Sequence, residues 1–135
     1  MQKINLLLLL TPKTELACLY DDTNVRQALE KMKAHGYMAI PVINKAGEYV
    51  GTVTEGDLLW NVVDNDGDLE SLEDISIKDI IRKNYSPSVT VDANMEELSK
   101  FITEQNFVPV VDDRNILMGI VTRKRVLQAL LDNEA

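Results

Sequence analysis

The 135-residue chain is poor in the residue types that build most catalytic and metal centres. It has one cysteine, Cys18, so no disulfide closes within the chain, and one histidine, His35, so a Cys/His zinc site is excluded. Cys18 lies among Leu16, Ala17, Leu19 and Tyr20, the setting of a buried thiol in a strand. A lone Cys and a lone His, far apart in sequence, are poor material for a nucleophile pair. Neither a Walker-type glycine loop nor a GxGxxG occurs. Aromatic residues make up only 5%, so each one near a motif carries weight. No apolar run approaches the ~20 residues that span a bilayer. The greasiest, Ile4 and Leu6–Leu10 behind Lys3, is followed by Thr11-Pro12-Lys13-Thr14-Glu15 without a small-x-small cleavage pattern. It is expected to pack on the body of a cytoplasmic protein.

What is present is acid, unevenly placed. With 14 Lys and Arg against 22 Asp and Glu, the formal charge is −8, which argues against a surface built to grip nucleic acid or an anionic membrane. Residues 61–80 carry seven acids (Asp64, Asp66, Asp68, Glu70, Glu73, Asp74, Asp79) and only Lys78 as a base, so −6 of that charge lies there. Asp64-Asn65-Asp66-Gly67-Asp68 invites a calcium-loop reading, but an EF-hand starting at Asp64 needs Gly and a bidentate Glu where Leu69 and Ile75 stand. Residues 64–75 read as a solvated acidic linker.

The segments flanking that linker repeat. Displaced by 68 positions, Pro41-Val42 falls on Pro109-Val110, Gly51 on Gly119, Val53-Thr54 on Val121-Thr122 and Leu59 on Leu127. Duplication of this kind marks two copies of one supersecondary unit, neither able to bury its apolar face alone. In the first copy Leu16–Tyr20 reads as a strand and Asp22-Thr23 as a helix N-cap. Val25, Ala28, Leu29 and Met32 then make one helical face ending near Gly36. Strands at Ala39–Ile43 and Tyr49–Thr54 flank a Lys45-Ala46-Gly47 turn, and a helix starts at Glu55. The second copy gives a short lead-in helix at Ile77–Arg82 and a strand at Ser88–Val91. A helix at Asn94–Glu104, strands at Val108–Val111 and Leu117–Thr122, and a helix at Arg123–Leu131 follow. The unit is β-α-β-β-α, written twice, so the fold class is α/β.

Ala39-Ile40-Pro41-Val42-Ile43 followed by Gly51-Thr52-Val53-Thr54-Glu55-Gly56-Asp57-Leu58, then Val108-Pro109-Val110-Val111 followed by Gly119-Ile120-Val121-Thr122, resemble a tandem pair of CBS domains, a Bateman module, over residues 11–132. The resemblance implies two repeats about a pseudo-twofold axis: residues 1–63 as N-terminal segment and first repeat, and 76–132 as the second. It also implies a non-catalytic sensor of adenine nucleotides, bound in a cleft between the repeats, that pairs as a homodimer. With no effector domain attached, an unidentified partner protein is expected to read the ligand-stabilised arrangement in trans. No cofactor or metal is required.

The residues carry a chemistry of their own. Thr54 and Asp57, at i and i+3, share one side of a helix N-terminus, where free N–H groups and the macrodipole favour a phosphate. Thr54 can donate to phosphate or ribose, and Asp57 can accept from a ribose diol; by resemblance Asp57 is the ribose reader. Both residues can equally serve as caps. In the second copy the corresponding position is Arg125, and Thr122-Arg123-Lys124-Arg125 carries three positive charges in a first turn. That opposes the dipole unless an anion or acids such as Asp112 and Asp113 relieve it. Tyr37 and Phe107 are candidate purine-stacking groups or core. The connection into the second copy's strand is shorter, at Gln105-Asn106-Phe107. Gly36-Tyr37-Met38-Ala39-Ile40-Pro41, Asn106-Phe107-Val108 and Thr122-Arg123-Lys124 are further similar to small stand-alone CBS proteins that act as cyclic di-AMP receptors. The resemblance implies ligand contacts from Tyr37, Met38, Ala39, Ile40, Pro41, Phe107, Val108, Pro109, Thr122, Arg123, Lys124 and Arg125, and from Ala17, beside Thr54 and Asp57. AMP, ADP, ATP and cyclic di-AMP all remain candidates: an intact Asp57 suits a free diol, whereas arginines facing two phosphodiesters suit the cyclic dinucleotide.

Overall fold

A computed structural model describes residues 5–82 and 86–132; Lys3 and Ile4 of the N-terminal run lie outside the described residues. The elements in chain order are α1 (Leu6–Leu9), β1 (Thr11–Pro12), β2 (Leu19–Tyr20), α2 (Val25–His35), β3 (Ala39–Ile43) and β4 (Tyr49–Thr54). They continue with α3 (Glu55–Asp64), α4 (Leu69–Leu72), β5 (Val89–Thr90), α5 (Met95–Ile102), β6 (Phe107–Val111), β7 (Leu117–Thr122) and α6 (Arg123–Leu131). Each repeat therefore has the β-α-β-β-α order. Among the described residues no helix is long and apolar enough to cross a membrane.

The described residues form two compact units, 17–82 and 5–16 with 86–132. The expected boundaries group residues 1–16 with the first repeat and 76–82 with the second, whereas the units place 5–16 with the second repeat and 76–82 with the first. In the first-repeat unit the sheet order is β2-β3-β4, with β2 parallel and β4 antiparallel to β3. Its core joins Leu19, Val25, Ala28, Met32, Ile40, Val42, Val53 and Leu58 with Leu72 and Ile77. The acidic stretch is thus not a free linker. Asp68 caps α4, accepting from Glu70 N and Ser71 Oγ at 3.1 and 2.8 Å. Val25 N, one of the donors a helix N-terminus leaves unpaired, is satisfied by Ile75 O at 2.9 Å. Ile77 N and Lys78 N donate to Thr23 O and Asp21 O at 2.8 and 3.0 Å. The acids face water while the interleaved Leu72 and Ile77 are wholly buried.

In the second-repeat unit the sheet order is β1-β7-β6-β5, and β1 pairs antiparallel with β7 through Thr11↔Ile120 and Pro12↔Gly119. Leu6 and Leu9 of α1 sit in a core with Val108, Val110, Val121, Val126 and Ala129. Burying two leucines contributes about 1.5–3 kcal/mol each as an upper estimate.

Both motif glycines have the same purpose. A Cβ on Gly51 would lie 2.5 Å from Ile81 Cγ2, and one on Gly119 would collide with the carbonyl oxygen of Thr11 and reach Leu10 Cδ1 at 3.0 Å. Each lets the segment that leads into the other repeat lie flat on the antiparallel strand.

Local signals shift by a residue or two. The N-cap of α2 is Asn24, not Asp22-Thr23. Its Oδ1 accepts from Gln27 N at 2.8 Å while Gln27 Oε1 accepts from Asn24 N at 3.1 Å, a reciprocal capping box. Thr23 is engaged in a turn, its N–H on Tyr20 O. β2 and β5 are only two residues long, each pairing parallel at the edge of its sheet. Ile77–Asp79 forms only a 3-10 turn, and Asn94 caps α5 rather than opening it. The two hairpin turns are equivalent: Asn44 Oδ1 accepts from Ala46 N and Glu48 N, and Asp112 Oδ1 from Arg114 N and Ile116 N, all at 2.9–3.0 Å.

Candidate functional site

In the first-repeat unit, β4 runs out at Thr54, which becomes the N-cap of α3. Thr54 Oγ1 accepts from Asp57 N at 3.2 Å and Asp57 Oδ2 accepts from Thr54 N at 2.9 Å, closing a capping box. The other carboxylate oxygen, Oδ1, is 3.0 Å from Arg82 Nε. Arg82 was not singled out by any sequence motif. It is carried there because Ile81 is seated on Gly51. Asp57 is therefore cap and ion-pair partner at once, with a side chain only 12% exposed.

The neighbouring residues gather at the same end of the sheet. Ala39 pairs with Thr54 across β3–β4, and Glu55 N donates to Met38 O at 2.9 Å. Ala17, just before β2, donates its N–H to the Tyr37 hydroxyl at 3.3 Å, while the Tyr37 ring lies tilted against His35 at 5.4 Å. Tyr37 is half-buried and lines a groove of about 650 Å³ between α2 and α3, together with Leu29, Met32, Glu55 and Leu59. Met38 is 65% exposed. Ile40 points the other way: its side chain is wholly within the core, so any ligand contact there is through backbone. Pro41, paired with Thr52, is buried.

In the second-repeat unit Thr122 repeats the N-cap, accepting from Arg125 N at 3.1 Å, and Arg123 N donates to Asn106 O as Glu55 N does to Met38 O. The three bases do not stand as a bare cluster. Arg123 Nε donates to Ile102 O at 2.7 Å and an Nη to Thr103 O at 3.4 Å, so its guanidinium closes the C-terminus of α5. A cation is favourable at that end of a helix. The unfavourable charge at the start of α6 is thus offset by a neighbouring helix, and an anion is not needed to explain Arg123. Lys124 is exposed, and Arg125 is half-buried. Asn106, Thr122, Arg123, Lys124, Leu127 and Gln128 border a groove of about 480 Å³. Phe107 pairs with Thr122 and is buried, as are Val108 and Pro109, Val108 wholly so in the core.

Hydrogen bonds from Ser71 and the Glu70 N–H hold the Asp68 pKa below its ordinary value, and the Ile116 N–H does the same for Asp112.

Comparison with known proteins agrees with this architecture. The family model for the CBS domain matches residues 9–64 and 72–132. An uncharacterised protein of Methanopyrus kandleri is 32% identical over 102 residues, covering 73% of this chain; the chain spans about half (49%) of that protein's length. Among solved structures, CbpB in complex with c-di-AMP superposes with a TM-score of 0.84 at 25% identity, covering 96% of this chain and 85% of the other. CBSX2 of Arabidopsis thaliana in complex with AMP gives 0.75 at 26%, covering 94% and 96%. Two matched repeats, each with the expected β-α-β-β-α order, make this chain a member of the CBS-domain family.

Proposed function

We propose that the chain is a non-catalytic regulatory module that binds an adenine nucleotide and signals to a partner protein. The observation that carries this reading is the gathering of Ala17, Tyr37, Met38, Thr54 and Asp57 at one end of the first-repeat sheet, beside the N-terminus of α3. A hydroxyl, a carboxylate and the positive end of a helix dipole suit a ribose and its phosphate. Thr122 and Lys124 offer the phosphate-binding half of that chemistry in the second repeat. The relatives support the ligand class: CbpB has been solved with c-di-AMP and CBSX2 with AMP. A nucleotide that binds one conformation better than another shifts the population toward it, and that shift is the signal.

Calorimetric titration with AMP, ADP, ATP and cyclic di-AMP tests the reading. Asp57→Ala is expected to weaken a mononucleotide by about 1.5–3 kcal/mol, the range for a hydrogen bond to a charged group. Loss of binding on Arg123→Ala with Arg125→Ala, with Asp57→Ala neutral, selects the cyclic dinucleotide instead. If no adenine compound binds, the module is a protein-interaction scaffold.

The α3 residues Leu59, Trp60 and Val63 and the α6 residues Leu127, Leu130 and Leu131 are 49–79% exposed. Leu59 and Leu127, and Val63 and Leu131, occupy equivalent positions of the two repeats. These apolar faces fit a homodimer, which sedimentation equilibrium would detect and Trp60→Asp would dissociate.

A further inference from the structure

We infer that Arg82 sets ligand choice at the first repeat by competing with a ribose diol for the Asp57 carboxylate; this rests on the proposed nucleotide-binding role of Asp57. Of the two carboxylate oxygens, Oδ2 is committed to Thr54 N at 2.9 Å and is not surrendered without opening the first turn of α3. A diol that engages both carboxylate oxygens needs Oδ1 as well, and Oδ1 is held by Arg82 Nε at 3.0 Å. The carboxylate shows little of itself to water: its side chain is 12% exposed, against 49% for Arg82. A ligand that reaches for Oδ1 therefore meets the guanidinium there.

Its position is built into the fold. Ile81 is pinned over Gly51, and Ile80 N closes on Ile77 O at 3.0 Å, so the chain delivers residue 82 to the start of α3. The second repeat lacks the device. There Thr11 follows Leu10 as Arg82 follows Ile81, and Arg125 replaces Asp57. Guarding the carboxylate makes a free 2′,3′-diol exchange a charged partner for neutral ones. Ligands that bind mainly through phosphates do not meet that exchange.

The test is calorimetric titration of the full chain and of Arg82→Ala with AMP and with 2′,3′-dideoxyadenosine monophosphate, which lacks both hydroxyls. Removing the guard is expected to raise the affinity for AMP roughly twofold to fivefold, the range for releasing a partly exposed ion pair. Affinity for the dideoxy nucleotide should stay unchanged, Arg82→Lys should restore most of the discrimination, and Asp57→Asn in the Arg82→Ala background should abolish the gain. The comparison of the two nucleotides within each variant cancels any general loss of stability. Weaker AMP binding by Arg82→Ala would overturn the inference by making Arg82 a ligand contact. Parallel movement of both nucleotides, or no movement, would overturn it by leaving Arg82 a structural ion pair. If neither nucleotide nor cyclic di-AMP binds any form, the proposed function itself fails and the inference with it.

Discussion

Replacing Gly119 by alanine should detach the N-terminal segment from the second repeat. A Cβ at this position would collide with the carbonyl oxygen of Thr11 and lie 3.0 Å from both Leu10 Cδ1 and Pro12 Cα. Two of those three atoms are backbone, so no rotamer change relieves the overlap. Strand β1 must lift from β7, giving up the Thr11↔Ile120 and Pro12↔Gly119 pairing. If the strand only shifts, the cost is that of overpacking, about 1–3 kcal/mol. If α1 also leaves, Leu6 and Leu9, now 1% and 4% exposed, lose their burial, adding up to roughly 3–6 kcal/mol together. Gly51→Ala is the internal control. Its Cβ would meet one side chain and no backbone, Ile81 Cγ2 at 2.5 Å and Ile81 Cβ at 3.8 Å, and turning that β-branched methyl aside about χ1 costs about 1 kcal/mol. Urea denaturation followed by circular dichroism gives the two costs, and hydrogen exchange locates them. The expected order is Gly119→Ala worse than Gly51→Ala, with protection lost in residues 5–16 and 86–132 for the first and in 17–82 for the second. Equal costs, or a Gly119→Ala effect confined to 17–82, would refute the assignment of the N-terminal segment to the second repeat.

Leu72→Ala should cost about 2–5 kcal/mol, the range for truncating a buried leucine, whereas a residue in a solvated linker would change stability by less than about 0.5 kcal/mol; urea denaturation separates the two. The Asp112 carboxyl should titrate below its ordinary value of 3.8, because the Ile116 and Arg114 N–H groups favour the charged form. Its contribution to the hairpin turn is then fully present above the unfolded value and lost as pH falls through the lower folded value. A carboxyl-detected NMR titration reads this directly, and an Asp112 midpoint at or above 3.8 would contradict it.

Most of the helices and the antiparallel strands were legible because their signals are short-range. Apolar spacing sets α2, continuous apolar runs set β3 and β6, and Thr54 and Thr122 mark the starts of α3 and α6. The CBS repeat was legible because Pro41/Pro109, Gly51/Gly119 and Thr54/Thr122 recur at one displacement. The candidate site was legible only as a set of residues. That Asp57 is held by Arg82, 25 positions later, and that Arg123 closes the C-terminus of α5, follow from long-range approach. No spacing rule reports such contacts.

The sequence by itself determined the duplicated β-α-β-β-α unit, its family and the residue types offered to a ligand. Periodicity, caps and repetition act within a few residues of one another and survive in one dimension. Only the tertiary structure decided where the acidic stretch and the N-terminal leucines belong. Leu72 and Ile77 complete the first-repeat core, and Leu6 and Leu9 the second. The reason is physical: an apolar residue in a short segment needs burial but does not specify which surface supplies it. That choice falls to the sheet whose glycine leaves room for the backbone, Gly51 under Ile81 and Gly119 under Leu10 and Thr11.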